Sequence, residues 1–158
     1  MAIHKLELND FHDPQYSLYA IHSEVEDYCL ARAINLRLST CLKRLKKDLD
    51  LSISKNLFFP LFGWENPNTK SHWNLIKNRC RVELESEGRG LFSGQEEKSF
   101  QTIHLLKEHA TVDYFLKISG SCISEKLTME NLNKIPEINL VYAVDVYGLK
   151  SKEYLIIN

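Results

Sequence analysis

The sequence has no hydrophobic run that could cross a bilayer. Its longest apolar stretches, LFFPLF and YLII, are far shorter than the ~20 residues that a membrane-spanning helix needs. The opening residues, MAIHKLELND, show no basic stretch followed by an apolar one, so no secretory signal is evident. We therefore expect a cytoplasmic protein without membrane contact. At 158 residues, the chain can form one globular domain over 1–158 with its own core.

Motifs for metal and nucleotide binding are also missing. The four cysteines form no CxxC pair and the six histidines form no HxH or HExxH motif, so no zinc or thioredoxin-type site is indicated. The glycine-rich stretch GRGLFSG matches neither GxGxxG nor a P-loop. We predict no cofactor and no metal. The cysteines are expected to pack as small buried side chains: Cys29, Cys41, Cys80 and Cys122.

The patterns that are present are typical of an α+β domain. Ser23 followed by Glu26 is a capping-box pattern, and it predicts a long helix in the N-terminal half through EVEDYCLARAINLRL. Apolar stretches on both sides of 66–68 predict an antiparallel hairpin. VDYFLKISG, a helical pattern over 123–134 and INLVYAVDVY predict a C-terminal strand–helix–strand unit. The predicted fold is therefore α+β, with a mostly antiparallel sheet, that long helix and that unit.

Further segments complete the predicted order. Residues 5–8 and 16–22 read as strands. Leucines over 41–54 are first spaced as in a helix and then alternate as in a strand, and we favour a strand for the second half. The polar segment 85–99 predicts a long loop. Pro60 cannot donate a ladder hydrogen bond, so its strand is expected at an edge or at a bulge.

The net charge of −1 conceals an uneven distribution. The segment 37–81 contains ten Lys or Arg against three Asp or Glu, a balance of +7. Basic side chains interleaved with aromatics suit a nucleic acid or an acidic protein surface. Alternatively, the aromatics belong to the core and the charges face solvent. The candidate binding residues are Lys43, Arg44, Lys46, Lys47, Trp73, Lys77, Arg79 and Arg81.

Two carboxylates are the catalytic candidates. Asp113 and Asp145 each lie among apolar residues in a strand pattern. If these strands were neighbours, the carboxylates would converge, and one would act as an acid and the other as a base. Alternatively, Asp113 pairs with a cation such as Lys117 at the surface of the sheet.

An ExxxVDY spacing occurs where Glu108 is followed by VDY at 112–114, with Leu-Lys at 106–107 before it. The alternative placement, IPE at 135–137, has Val141 at the right distance but Tyr-Ala after it. The stretches YSLYAIHS to DYCLARAIN, WNLIKN, GLFSG and LKSKEYLI provide further matching blocks. On these residues the chain resembles the uncharacterised bacterial IPExxxVDY family. The resemblance implies a compact cytoplasmic domain and supplies no activity, cofactor or catalytic residue.

These observations favour a non-enzymatic, cytoplasmic protein-binding or accessory domain. The alternative is a nucleic-acid-associated protein that uses the 37–81 segment. The third hypothesis is a hydrolase-type enzyme built on Asp113 and Asp145. The expected partner is an acidic protein or a nucleic acid.

Overall fold

The computed structural model describes residues 16–51, 57–84, 99–120 and 124–157. Two α-helices are present in them, α1 (Asp27–Leu38) and α2 (Glu125–Leu132), together with short 3-10 helices at Lys107–His109 and Lys152–Leu155. The strands, in chain order, are β1 (Tyr16–His22), β2 (Lys43–Arg44), β3 (Leu49–Asp50), β4 (Phe58–Phe59), β5 (Leu61–Glu65), β6 (His72–Lys77), β7 (Arg79–Leu84), β8 (Ser99–His104), β9 (Tyr114–Ser119) and β10 (Leu140–Ala143).

Six strands form one antiparallel sheet in the order β10-β1-β9-β6-β5-β2. Two small ladders, β3-β4 and β7-β8, lie outside it. The central strand β9 is buried on both faces, because Leu116 packs on one side while Phe115 and Lys117 are covered on the other.

Each face of the sheet carries its own apolar cluster. On one face, α1 contributes Leu30, Ala31 and Ile34, and α2 contributes Leu132. The opposite face is covered by the short strands β3 and β4, the β7-β8 ladder and the C-terminal segment, and Phe59 is fully buried there. Burying a side chain of this size stabilises the fold by roughly 1.5–3 kcal/mol. The sheet is thus the middle layer, with helices on one face and short strands and the C-terminal segment on the other.

The prediction of a long helix in the N-terminal half is wrong, because α1 has only 12 residues and begins at Asp27. The capping box is not formed. The Ser23 hydroxyl donates to the Glu137 carbonyl at 2.6 Å, and the Ser23 N–H donates to Asp113 Oδ2 at 3.0 Å. Glu26 occupies the N-cap position without a side-chain capping bond. Tertiary hydrogen bonds have replaced the local one.

The prediction of a C-terminal strand–helix–strand unit is also wrong. The strands β9 and β10 flank α2 in the sequence, but β1 lies between them in the sheet and pairs with both. The second strand is short as well, since β10 ends at Ala143. The mostly antiparallel sheet is present, but its order differs from the predicted local unit.

The predicted hairpin at 66–68 is confirmed. Strands β5 and β6 pair in antiparallel register, and the Asn66 side chain accepts a hydrogen bond from the Asn68 N–H at 2.9 Å. Pro60 separates β4 from β5, as its missing N–H requires. In the described part of the chain, no helix is both long and apolar enough to cross a membrane.

The expectation of buried thiols is wrong for the cysteines that can be placed. Cys29 and Cys41 are exposed, and Cys80 is half-buried. Cys122, the predicted strand at 5–8 and nearly all of the predicted loop at 85–99 lie outside the described residues.

Candidate functional site

A groove of about 510 Å³ lies beside the junction of β6 and β7, and we call it the Asp113 groove. The segment 23–26 forms one wall, and the β6–β7 junction forms another. Phe58, Asp113 and Tyr114 complete most of the lining. A groove of this volume lies within the usual range for ligand sites.

Asn78 builds the β6–β7 junction. Its side chain is fully buried and makes three hydrogen bonds: it donates to the His109 and Val112 carbonyls at 2.9 and 2.8 Å, and it accepts from the Leu106 N–H at 3.0 Å. Its backbone N–H donates to the Asp113 carbonyl at 2.9 Å. A buried side chain that is satisfied in this way fixes its surroundings. Here it brings the start of β7 against the residue before β9.

Asp113 connects three parts of the chain. Its Oδ2 accepts from the Ser23 N–H at 3.0 Å, and its Oδ1 forms a salt bridge with the Arg79 guanidinium. The carboxylate is only 16% exposed, whereas the Arg79 side chain is 51% exposed. Both carboxylate oxygens are thus engaged. We infer that Asp113 holds the groove together rather than exchanging protons with a substrate.

Tyr114 also holds the wall that the segment 23–26 forms. Its hydroxyl donates to the Val25 carbonyl at 2.7 Å. Burial, helped by the nearby negative charges of Asp27 and Glu26, raises the pKa of Tyr114 to about 12. The phenol therefore stays protonated at neutral pH and remains a hydrogen-bond donor to the segment before α1.

The rim of the groove carries both signs of charge. Lys77 Nζ lies 3.6 Å from a carboxylate oxygen of Glu26. The Arg81 guanidinium carbon lies 4.1 Å from the centroid of the Phe100 ring, a cation–π contact. Phe58 is 46% exposed at the edge. The rim thus combines the exposed ring of Phe58 with the Lys77–Glu26 pair and with the Arg81 guanidinium over Phe100.

The structure divides the predicted basic residues into two neighbouring sets. Lys77, Arg79 and Arg81 line the Asp113 groove. A second groove of about 720 Å³ is lined by Arg44, Leu45, Lys46, Lys47, Asp48, Asp50 and Phe58. Phe58 therefore belongs to both grooves and lies where they meet.

Three of the predicted binding residues differ from the others in their surroundings. Lys43 is exposed but does not line either of these grooves. Trp73 is only 5% exposed, and its indole N–H donates to Ser71 Oγ at 3.1 Å, so it belongs to the core. Arg44 is paired with Asp48. Asp48 is already counted in the balance of +7, and two carboxylates from outside the segment, Glu26 and Asp113, pair with Lys77 and Arg79.

The structure does not bring Asp113 and Asp145 together. Tyr114 pairs with Ile21, so Asp113 lies near the C-terminal end of β1. Ala143 pairs with Tyr19, and the chain after it runs towards the N-terminal end of β1, where Asp145 follows. Asp145 is exposed in a turn, where its Oδ1 accepts from the Tyr147 N–H at 3.1 Å. The paired-carboxylate geometry that the hydrolase hypothesis requires is not formed.

Sequence reasoning missed Ser23 and Phe58 as parts of the site. The signal for Phe58 was available: Phe58 and Phe59 are adjacent in a strand, so only one of them can face the core. Nothing local indicated Ser23. The residues that the structure describes contain no group of three side chains able to hold a metal ion.

Comparison of the chain with protein-family models, curated proteins and solved structures gave no match. The IPExxxVDY resemblance therefore stays a prediction. The proposal for its function therefore rests on the geometry of the two grooves.

Removing the Asp113 carboxylate should weaken the fold. We expect Asp113→Asn to lower the free energy of unfolding by about 1–2 kcal/mol, because the amide still accepts from Ser23 but loses the ion pair, and Arg79 is partly solvated. Asp113→Ala should cost about 2–3 kcal/mol, because it also leaves the Ser23 N–H without its acceptor. Urea unfolding measures both.

Asp145→Asn is the matched control, because this carboxylate is exposed and should change stability by less than about 0.5 kcal/mol. The double Asn variant should be additive, since the two sites are well separated. A coupling above about 1 kcal/mol would contradict the separation of the two carboxylates.

Proposed function

We propose that this chain is a protein-binding accessory domain that receives its partner across the Asp113 groove and the adjoining second groove. The observation that carries the proposal is the position of Phe58, half-exposed where the two grooves meet. An aromatic side chain at the centre of a concave surface, with arginines around it, is the usual composition of an interaction hot spot.

The charges around Phe58 favour a protein surface over a polyphosphate. Lys77, Arg79 and Arg81 share the Asp113 groove with Glu24, Glu26 and Asp113. A nucleic-acid backbone needs an excess of cations along its path, and these carboxylates would repel phosphates. A protein partner with acidic and apolar groups can satisfy the two exposed arginines and cover Phe58.

The walls of the groove are also fixed before binding. Asn78, Asp113 and Tyr114 hold them through buried or partly buried hydrogen bonds. A pre-organised surface binds with little loss of conformational entropy. This rigidity supports a binding role for the site.

The test is a pull-down from a native lysate of the source cells with the full chain as bait, with and without nuclease. We expect the wild type to retain a partner after nuclease treatment. Phe58→Ala should weaken that complex by about 30-fold or more, the effect of losing a hot-spot aromatic of about 2 kcal/mol. Isothermal titration with the purified partner measures this.

Leu127→Ala is the control, because Leu127 is 58% exposed on α2 and does not line either groove. It should bind within about twofold of the wild type. If the complex is lost with nuclease, the nucleic-acid alternative replaces this proposal. If Phe58→Ala binds as tightly as the wild type, the partner uses another surface.

A further inference from the structure

A separate cavity of about 490 Å³ lies over the face of the sheet that α1 and α2 do not cover. Its floor consists of two cross-strand rows at one end of β5, β6 and β9. The first row is Gly63, Asn74 and Lys117, and the second row is Glu65, His72 and Ser119. The apolar cluster of this face ends at the neighbouring row, which consists of Leu61, Ile76 and Phe115 and lies two residues away along each strand. One end of an otherwise apolar face is therefore polar.

Lys117 is the unusual member of this floor. It is only 9% exposed on the central strand, and its ammonium donates to the Leu155 carbonyl at 2.7 Å and lies 4.8 Å from the centroid of the Tyr16 ring. Within the described ranges, none of the carboxylates forms a salt bridge with it. Burial lowers the pKa of Lys117. A buried cation with only neutral partners is costly, and an anion beside it would offset that cost.

We propose that this cavity binds a small organic anion whose carboxylate or phosphate group pairs with Lys117. The Asn74 amide and the Ser119 hydroxyl lie in the same floor and can donate further hydrogen bonds to the anion. The volume of about 490 Å³ lies within the range for small-molecule sites. The Asp113 groove does not share a lining residue with this cavity, and the second groove shares Leu45 with it. Lys117, Asn74 and Ser119 do not line either groove, so the proposed anion site is separate from the residues that the proposed function uses.

Gly63 keeps the floor open. A Cβ added at Gly63 would meet the Leu45 side chain at 3.0 Å, so a larger residue here would push against the wall of the cavity. The apolar part of the lining is formed by Leu45, Trp64, Trp73 and Ile157. The cavity thus combines a charged end with an apolar wall, which suits a ligand that carries an anionic group on a short carbon skeleton.

The experiment titrates the full chain with sodium malonate and with sodium phosphate, each against sodium chloride at equal ionic strength. Calorimetry and thermal melts serve as readouts. We expect a saturable response to at least one of the two anions and no saturable response to chloride. A response to malonate alone assigns the site to carboxylates, and a response to phosphate alone assigns it to phosphate groups. A saturable response to neither overturns the proposal.

Variants locate the response. Lys117→Met keeps most of the side-chain length and should lose at least roughly tenfold in affinity, because hydrogen bonds to charged groups are worth that much or more. Lys126→Met, an exposed lysine on α2, should bind as the wild type does. Glu65→Gln removes a negative charge from the cavity and should bind the anion as tightly or more tightly. If Lys117→Met binds equally well, the anion sits elsewhere and the proposal fails.

Asn74→Leu covers the case in which Lys117→Met does not fold. It retains the ammonium but fills part of the cavity with an apolar side chain, so binding should again weaken by roughly tenfold. Unchanged binding by a folded Asn74→Leu variant overturns the proposal in the same way.

Discussion

Asn78→Ala should lower the free energy of unfolding by about 3–5 kcal/mol. The substitution leaves the Val112 carbonyl and the Leu106 N–H without their Asn78 partner at a fully buried position, and the His109 carbonyl keeps its bond from the Val112 N–H but loses the one from Asn78. Each unpaired buried group costs about 1–3 kcal/mol. Water that enters the vacated space recovers part of this cost, so the expected loss is below the simple sum.

Urea unfolding monitored by tryptophan fluorescence measures the loss. Asn139→Ala is the control, because Asn139 is exposed, and the stability of this variant should differ from that of the wild type by less than about 0.5 kcal/mol.

Asn78→Asp refines the test: it can still accept from Leu106, but its carboxylate would face two carbonyl oxygens. A buried carboxylate without a cation has a raised pKa in the folded state, so this variant should regain stability as the pH is lowered. A loss below about 1 kcal/mol for Asn78→Ala would show that the network does not hold the junction.

The parts of the fold that local pattern determines were predictable. Strand β1 covers Tyr16–His22, as its apolar run indicated, and the hairpin forms at the turn triplet. The start of α1 was not predictable, because Ser23 bonds to Glu137 and Asp113, which lie 114 and 90 residues away in the sequence. In a capping box the serine N–H donates to the glutamate side chain and the serine hydroxyl accepts from a backbone N–H. Here the Ser23 N–H donates to Asp113 instead, and the Ser23 hydroxyl is directed to the Glu137 carbonyl.

The site was only partly predictable for the same reason. The basic residues were evident, but the carboxylates that neutralise Arg44 and Arg79 could be identified only after folding. Composition alone did not identify Trp73 as a core residue, since its indole is buried although it lies in a segment rich in Lys and Arg. Asn78 resembles any turn asparagine in the sequence, and its importance arises entirely from the distant segment that it binds.

The stability of the wild type should fall steeply in alkali because of Tyr114. Its pKa is raised to about 12 in the folded state from an ordinary value of 10.0. Below pH 10.0 the phenol is protonated in both states, so its contribution is constant there. Between pH 10.0 and about 12 the unfolded phenol ionises while the folded one does not. The unfolded state then gains roughly 2–3 kcal/mol, and that much stability is lost.

Tyr114→Phe isolates this contribution. The variant is less stable at neutral pH, because the Val25 carbonyl loses its donor. Its further loss between pH 9.5 and 11.5 should nevertheless be smaller than that of the wild type by about 2 kcal/mol. Tyr16 and Tyr19, whose pKa values burial also raises, add to the alkaline loss, while the lowered pKa of Lys117 opposes it. These three groups are common to both proteins, so they cancel in the comparison. Urea midpoints across this pH range give the difference, and parallel curves for the two proteins would show that Tyr114 titrates alike in the folded and unfolded states.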